Sequence, residues 1–339
     1  MEIDKIGVFE VITGIEAEQL EPKPTELIID KLLPKGFCSI FAGTTGCNKS
    51  YLAMQMGMQI ANGDDKFLGF EIQQKKLNVL YVDTEIGKDE MMRRYKRISK
   101  NLDWTGMGKF NMISKVGLLA DIWDDLDIAV ERFKPELIII DCLYNSSSEK
   151  DYTKSSNIIK ITGKITDLMN RSGVTVLGVH HFNKGNTDTG LHKDRMSGAS
   201  ALQNWSEHIV LFSDTNDTLL RLMRIVKSRA IDYPNDYFGI AWNADNHFLS
   251  MKGIVRDWRK YIIGEDKKRK WESALSNISE SFRTNEWVKS IRLNEKKSER
   301  TAKAWLKEIE KVGFIKNINH GEWEKTKMQF VEDIEEIAG

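Results

Sequence analysis

The chain has few cysteines, no excess of either charge and no long apolar run near its start. Its three cysteines stand at scattered spacings that suit neither a disulfide framework nor a zinc site, which favours a reducing compartment. The 50 basic and 50 acidic residues balance, so the overall charge neither requires nor excludes a nucleic-acid partner. Because no early segment reaches the length of a membrane span, we expect a soluble, cytoplasmic protein without a membrane partner.

The length and the hydrophobic pattern predict an α/β protein. With 339 residues, 41% of them hydrophobic, the chain can form one large core and a smaller second domain. Between about residues 25 and 245, short β-branched runs alternate with helical patterns, which is typical of a mostly parallel, twisted sheet with crossover helices. The predicted buried strands are 37–42, 77–83, 137–141 and 174–180, and the predicted hairpin strands that extend the sheet are 207–213, 219–227 and 237–242.

A phosphate-binding loop is the strongest motif. It lies between a predicted strand and a predicted helix, where backbone N–H groups can surround the phosphates of ATP. Lys49 would neutralise phosphate charge, while Asn48 replaces the second glycine of the usual motif and is a residue type that tolerates left-handed backbone angles. The alternative is a Gly/Thr turn with an incidental Lys-Ser pair. The predicted nucleotide-binding residues are Gly43, Thr44, Thr45, Gly46, Cys47, Asn48, Lys49, Ser50 and Tyr51.

Carboxylates end two of the predicted strands. Asp141 follows the apolar run 137–140 and, together with the Ser50 hydroxyl, is predicted to bind Mg²⁺. Asp83 and Glu85 end the strand at 77–83, and we favour Glu85 as the general base because it lies further beyond the strand. The alternative is an acidic pair that caps the next helix.

With these motifs in their order along the chain, residues 25–245 resemble the RepA-like and DnaB-like hexameric helicases of the RecA superfamily. The resemblance also includes Val179–Gly185 and Arg195–Leu202. It implies a RecA-like P-loop NTPase core, a hexameric ring, a catalytic glutamate at Glu85 and a polar sensor at His181. A buried core histidine is the alternative for His181.

The same resemblance suggests where single-stranded DNA and a neighbouring subunit bind. Residues 186–195 are similar to the loop that faces DNA in the ring centre, and the implied phosphate contacts are Lys184, Lys193 and Arg195. Lys227 and Arg229 resemble the DnaB-like pair that reaches the neighbour's γ-phosphate, with Arg229 as the arginine finger. In the RepA-like branch the finger instead lies where this chain has Glu207. A surface Lys-Ser-Arg sequence is the alternative.

The C-terminal part predicts a small winged helix-turn-helix domain. Residues 271–282, 286–291 and 298–312 have helical patterns, and 314–317 and 323–329 follow as strands. Residues Arg300, Lys303 and Lys307 are expected on the exposed face of a recognition helix against duplex DNA, although such domains also bind proteins. The predicted division is an N-terminal segment 1–24, a core 25–255, a linker 256–270, the winged helix 271–331 and an acidic tail 332–339.

The function predicted from these motifs is that of a replicative-type helicase, an ATP-hydrolysing DNA motor of a plasmid, phage or mobile element. Its cofactors would be ATP and Mg²⁺. One alternative is an ATP-switched DNA-binding regulator or helicase loader that does not unwind DNA. The other is a nucleotide-binding pseudo-enzyme, which the Asn48 substitution motivates.

Overall fold

The computed structural model describes residues 4–6, 9–143, 155–182, 190–196, 199–262, 265–326 and 334–335. Strands and helices are numbered in chain order. The helices are α1 (Gly14–Gln19), α2 (Lys49–Asn62), α3 (Lys88–Ser99), α4 (Trp123–Phe133), α5 (Ser155–Ser172), α6 (Ala199–Trp205), α7 (Glu265–Ser276), α8 (Thr284–Asn294) and α9 (Glu299–Val312). None of them, within the described ranges, is both long and apolar enough to cross a membrane.

The strands form one large sheet and several small ones. They are β1 (Asp4–Ile6), β2 (Phe9–Val11), β3 (Leu27–Ile29), β4 (Leu33–Pro34), β5 (Cys38–Gly43), β6 (Lys66–Phe67), β7 (Phe70–Glu71), β8 (Val79–Asp83), β9 (Phe110–Ser114), β10 (Leu137–Asp141), β11 (Thr175–His181), β12 (His208–Asp214), β13 (Leu220–Ser228), β14 (Tyr237–Asn243), β15 (Phe248–Val255), β16 (Ser281–Arg283), β17 (Ile315–Asn319), β18 (Glu322–Lys325) and β19 (Ile334–Glu335). Within the described residues, the large sheet has ten strands in the order β19-β15-β14-β13-β12-β5-β11-β10-β8-β9.

The strands from β12 to β9 in that order are parallel, and the others extend the sheet as antiparallel hairpins. Strands β5, β8 and β10 are buried along their whole length because apolar layers cover both faces of the sheet. One layer contains α2, and the other contains α4 and α5. The predicted α/β fold with a mostly parallel sheet is therefore confirmed, and it fits a RecA-like P-loop core.

The direction of the parallel strands determines where the candidate site forms. Gly43, Asp83, Asp141 and His181 all lie at the carboxyl ends of their strands, and β5, β11, β10 and β8 are consecutive neighbours. Ligands bind open parallel sheets beyond this edge. The fold therefore brings together residues that are up to 138 positions apart in the sequence.

The C-terminal residues form three helices and a small sheet in the order β16-β18-β17, around a core that includes Trp271 and Trp287. The predicted helix 271–282 is wrong at both ends, since α7 begins at Glu265 and the chain from Ser281 is a strand. Residues 265–270, predicted as part of a linker, are helical. Their charges had suggested a break, but a charged residue such as Lys267 can pair with Glu308 (2.9 Å) and lie over the Trp271 ring.

The C-terminal tail also contacts the large sheet. Ile334 and Glu335, within the segment predicted as an acidic tail, form β19 and pair with Val255 and Ile254 of β15. Glu335 forms an ion pair with Arg256. The last described residues thus cover one edge of the large sheet.

Candidate active site

The loop between β5 and α2 has the backbone that a phosphate-binding loop needs. Asn48 takes left-handed angles (φ 66°, ψ 22°), as the sequence led us to expect for the residue that replaces glycine. Gly43 cannot carry a side chain, because a Cβ there would lie 2.3 Å from the Phe212 carbonyl oxygen. The loop is also closed against β12, where the Thr44 hydroxyl donates to Asp214 at 2.5 Å.

Asn48 has a partner that glycine could not have. Arg221, which is 8% exposed, donates from Nε to the Asn48 Oδ1 at 2.9 Å and from Nη1 to the carbonyls of Thr218 and Leu220. Burial lowers the pKa of the Arg221 guanidinium. The side chain of Asn48 therefore ties the phosphate loop to β13, so the departure from the usual motif has a structural compensation.

Lys49 is the first residue of α2, and its amine is held at the carboxyl edge of the sheet. The side chain is buried, and Nζ donates to the Thr44 carbonyl at 2.8 Å and lies 3.5 Å from Nδ1 of His181. Its contact with a loop carbonyl keeps the charge at the centre of the loop. A phosphate bound by the loop would meet this amine.

Ser50 and Asp141 form the predicted magnesium pair. The Ser50 hydroxyl donates to Asp141 Oδ1 at 3.1 Å, and the Tyr81 hydroxyl donates to the other carboxylate oxygen at 2.5 Å. Burial raises the pKa of Asp141, which a bound cation would counteract. A hydroxyl and a carboxylate oxygen beside a phosphate loop are the ligand types that Mg²⁺ prefers, so the pair fits this cation.

Asp83 and Glu85 differ in what surrounds them. Asp83 is 1% exposed and accepts from the backbone N–H groups of Glu85, Ile86 and Gly87 at 2.8–3.2 Å and from the Ser114 hydroxyl at 2.7 Å. Its carboxylate is therefore used to hold the turn after β8. This turn places the Glu85 side chain at the site.

Glu85 is paired with His181, the last residue of β11. Its Oε2 lies 3.6 Å from Nε2 of His181, and a hydrogen bond from His181 is the main cause that lowers the Glu85 pKa, with the charge of Lys49 adding to it. The carboxylate is 38% exposed and ionised at neutral pH. It is thus accessible to water and in the form that accepts a proton.

Tyr51 and Arg94 extend the site on the side of α3. The Tyr51 ring contacts Trp242 and His247. The guanidinium carbon of Arg94 lies over the same ring, 5.1 Å from the ring centroid. Arg94 was not predicted; its side chain is 18% exposed, and its positive charge is among the causes that lower the Glu85 pKa, after the hydrogen bond from His181. Its only sequence signal is its position one helical stretch after Glu85, which many surface arginines share.

The predicted finger residues lie away from this edge of the sheet. Phe212 of β12 pairs with Gly43, whereas His208, at the other end of β12, pairs with Ser228. Arg229 is exposed and follows directly, so it is roughly 15 Å or more from the phosphate loop along the strands. Lys227 instead donates to the carbonyls of Gln203 and Ser206, at the end of α6 of its own chain.

The predicted DNA contacts have different surroundings. Lys193 is exposed, whereas Arg195 is half-buried, donates to the Gly190 carbonyl at 2.7 Å and lies over the Phe182 ring. Lys184 is outside the described residues. The three cations predicted for the recognition helix, all exposed on α9, are Arg300, Lys303 and Lys307.

Comparison with known proteins gave one family model and a set of solved structures that match the chain. The AAA_25 family model, described as an AAA domain, matches residues 11–187, more than half of the 339 residues. Among the solved structures that match is a KaiC-like protein from the hyperthermophilic archaeon Pyrococcus horikoshii OT3, at 14% identity and a TM-score of 0.48, covering 66% of this chain and 93% of that one. No curated protein matches the chain.

Proposed function

The chain belongs to the AAA_25 family of AAA domains, P-loop nucleoside triphosphatases, and we propose that it is an ATP-hydrolysing DNA motor of the replicative-helicase type. The proposed element it serves is a plasmid, a phage or a mobile element. The observation that carries the proposal is the convergence of Lys49, Ser50, Glu85 and His181 at one edge of the sheet.

The proposed reaction is direct attack of water on the γ-phosphorus of ATP. Glu85 accepts a proton from the attacking water, the new P–O bond forms, and the bond to ADP breaks with its electrons on the ADP oxygen. Lys49 and the loop N–H groups stabilise the phosphate charge, and His181 orients Glu85 and contacts Lys49. Mg²⁺, held by Ser50 and Asp141, would neutralise charge on the phosphates.

The surroundings of Glu85 favour an active enzyme over a pseudo-enzyme. Asp83 is saturated by four donors, whereas Glu85 keeps an accessible, ionised carboxylate. Asn48 keeps the loop in its left-handed backbone. A protein that only binds ATP needs this loop backbone, but it does not need the accessible carboxylate of Glu85.

The position of Arg229 supports a ring. In its own subunit Arg229 lies at the far end of β13, too distant for its side chain to reach a phosphate in the loop. An arginine finger at this position would therefore act on a neighbouring subunit, which fits the proposed hexamer.

The C-terminal elements support a second, DNA-binding domain. Their order, a helix, a strand, two helices and a two-stranded hairpin, is that of a winged helix-turn-helix, with α9 as the recognition helix. Arg300, Lys303 and Lys307 would contact phosphates of duplex DNA, and Lys184, Lys193 and Arg195 would contact the single strand. Lys303 is also paired with Glu299 at 2.7 Å, an exposed pair that a phosphate can replace.

Hydrolysis and strand displacement should be measured together. Full-length protein is given ATP and Mg²⁺ with no DNA, single-stranded DNA or a forked duplex. We expect single-stranded DNA to stimulate hydrolysis and the fork to be unwound, and Lys49→Ala to abolish both. The exposed cations of α9 also favour a second candidate, the ATP-switched DNA-binding regulator or loader. Specific duplex binding with hydrolysis but no unwinding would select that candidate.

A further inference from the structure

Cys142 brings a thiol next to the two residues that the proposed reaction uses. It follows Asp141 at the end of β10 and is 1% exposed. A sulfur of Cys142, a carboxylate oxygen of Glu85 and a ring nitrogen of His181 all lie within 4.8 Å of one another. The reaction proposed above assigns no role to this thiol.

The spacing of these atoms is close to that of ligands around a tetrahedral cation. Zinc bonds of about 2.0–2.3 Å to N, O and S place neighbouring ligand atoms roughly 3.5 Å apart. Glu85 Oε2 and His181 Nε2 are already 3.6 Å apart. The sulfur needs to approach by about 1.3 Å at most, a distance that small changes in the side-chain dihedral angles of the three ligands can cover.

His181 presents its two ring nitrogens to different groups. Nε2 lies 3.6 Å from Glu85 Oε2, and Nδ1 lies 3.5 Å from Lys49 Nζ. A cation bound at Nε2 requires the ring proton on Nδ1, and Lys49 Nζ can then keep its hydrogen bond to the Thr44 carbonyl at 2.8 Å. Binding releases the thiol proton of Cys142, and the thiolate and the Glu85 carboxylate then cancel the two charges of the cation, so the bound cluster is neutral.

We propose that Glu85, Cys142 and His181 form a site for a thiophilic divalent cation such as Zn²⁺, distinct from the magnesium pair Ser50 and Asp141. Mg²⁺ prefers oxygen ligands and would not compete for the thiolate, whereas Zn²⁺ binds all three ligand types. The partly exposed sides of Glu85 and His181 leave a fourth position for water. Cation binding is independent of the proposed function.

A consequence for catalysis rests on the proposed function. A cation held by Glu85 occupies the carboxylate oxygen that would accept the proton of the attacking water. Zinc should therefore inhibit hydrolysis of MgATP without displacing magnesium. A thiol-containing chelator should restore activity.

The test uses Co²⁺ as a spectroscopic probe of the reduced full-length protein without nucleotide. We expect one bound cobalt per chain with a sulfur-to-cobalt charge-transfer band, and displacement by zinc. Cys142→Ser should lose this band and bind zinc on the order of 100-fold or more weakly, since even changes to groups around metal ligands cost 10–100-fold. Cys38→Ser is the matched control, because Cys38 is equally buried but starts β5 at the opposite edge of the sheet.

Glu85→Gln provides a second variant that keeps every cysteine and nearly the same side-chain shape. It should weaken cobalt binding while retaining the thiolate band at saturation. The proposal is overturned if Cys142→Ser binds cobalt with an unchanged spectrum, or if wild-type protein shows no thiolate band. Both readouts are made without ATP, so a failure of the metal site is distinguishable from a failure of the proposed ATPase activity.

Discussion

Asp83 and Glu85 end the same strand two residues apart, yet their surroundings give them different roles. Glu85→Gln should keep ATP binding and lower turnover by about 10²–10⁴-fold, the usual contribution of a general base. Asp83→Asn should instead lower the melting temperature, because each carboxylate oxygen accepts from two of the four donors and the amide replaces one of these oxygens with an NH₂ group that cannot accept. Turnover and thermal unfolding of both variants check this assignment. It is wrong if Asp83→Asn alone stops hydrolysis in a stable protein.

Most residue types would be strained in the left-handed backbone at position 48, where Asn48 also accepts a hydrogen bond from Arg221. Asn48→Gly removes only the bond to Arg221, whereas Asn48→Ala also places an alanine at φ 66°, which costs roughly 1–2 kcal/mol more. We expect stability to fall in the order Asn, Gly, Ala, with ATP affinity following the same order. Urea unfolding and nucleotide titration measure both. Equal stability of the two variants would show that the left-handed backbone is not retained.

At this scale the sequence predicted the residues that end parallel strands. The phosphate-loop motif pointed to Lys49, the apolar run that ends in a carboxylate pointed to Asp141, and the family resemblance pointed to His181. Strand order places all three at one edge of the sheet. Arg221 and Tyr81 could not, since each meets its partner only after the sheet has formed, across 173 and 60 positions of sequence. Nothing local marks such a contact.

At the scale of elements, the hydrophobic pattern predicted the buried strands. It misplaced the start of α7, because the first residues of that helix are charged. The edge strand β9 was not predicted, because only Phe110 is buried and its five residues form neither an apolar run nor a regular alternation of polar and apolar residues. The charged segment 265–270 was taken as a linker although its charges lie on a helix. Edge strands and charged helices bury little surface and so carry weak patterns.

Two basic residues at the end of β13, Lys227 and Arg229, are expected to have different roles. Arg229→Ala should cut turnover by on the order of 10³ while ATP binding changes little, because a finger acts only in the transition state. Lys227→Ala is the matched control: it should lower stability by releasing the carbonyls that end α6, with a small effect on turnover.

Subunit mixing tests whether Arg229 acts in trans. Glu85→Gln and Arg229→Ala subunits should together regain some activity at interfaces where an intact Glu85 meets an intact Arg229. Wild-type turnover of Arg229→Ala would exclude this residue as the finger. In that case Arg195 and Arg224, which are partly exposed, would be the next arginines to test, because Arg221 is buried and bound to Asn48 of its own chain.

At the scale of the whole molecule, the stability of the large sheet at low pH depends on a buried histidine that is remote from the candidate site. His208 is fully buried at the start of β12, and burial lowers its pKa to about 4. In the unfolded chain its pKa returns to about 6.5. Below pH 6.5 the unfolded chain therefore binds a proton that the folded protein excludes, so the free energy of unfolding falls as the pH is lowered towards 4, where this contribution is complete.

The His208 contribution lowers the free energy of unfolding by about 3 kcal/mol between pH 6.5 and pH 4. His208→Leu, which fills a similar volume without a titratable ring, should lose that share of the acid destabilisation. The measurement is the urea midpoint of wild type and variant at several pH values across this range. His320→Leu is the control, because His320 is exposed in the hairpin turn between β17 and β18 and its removal should leave the pH dependence unchanged. If His208→Leu and wild type lose stability in parallel as the pH falls, the ring is protonated in the folded protein and another group causes the acid sensitivity.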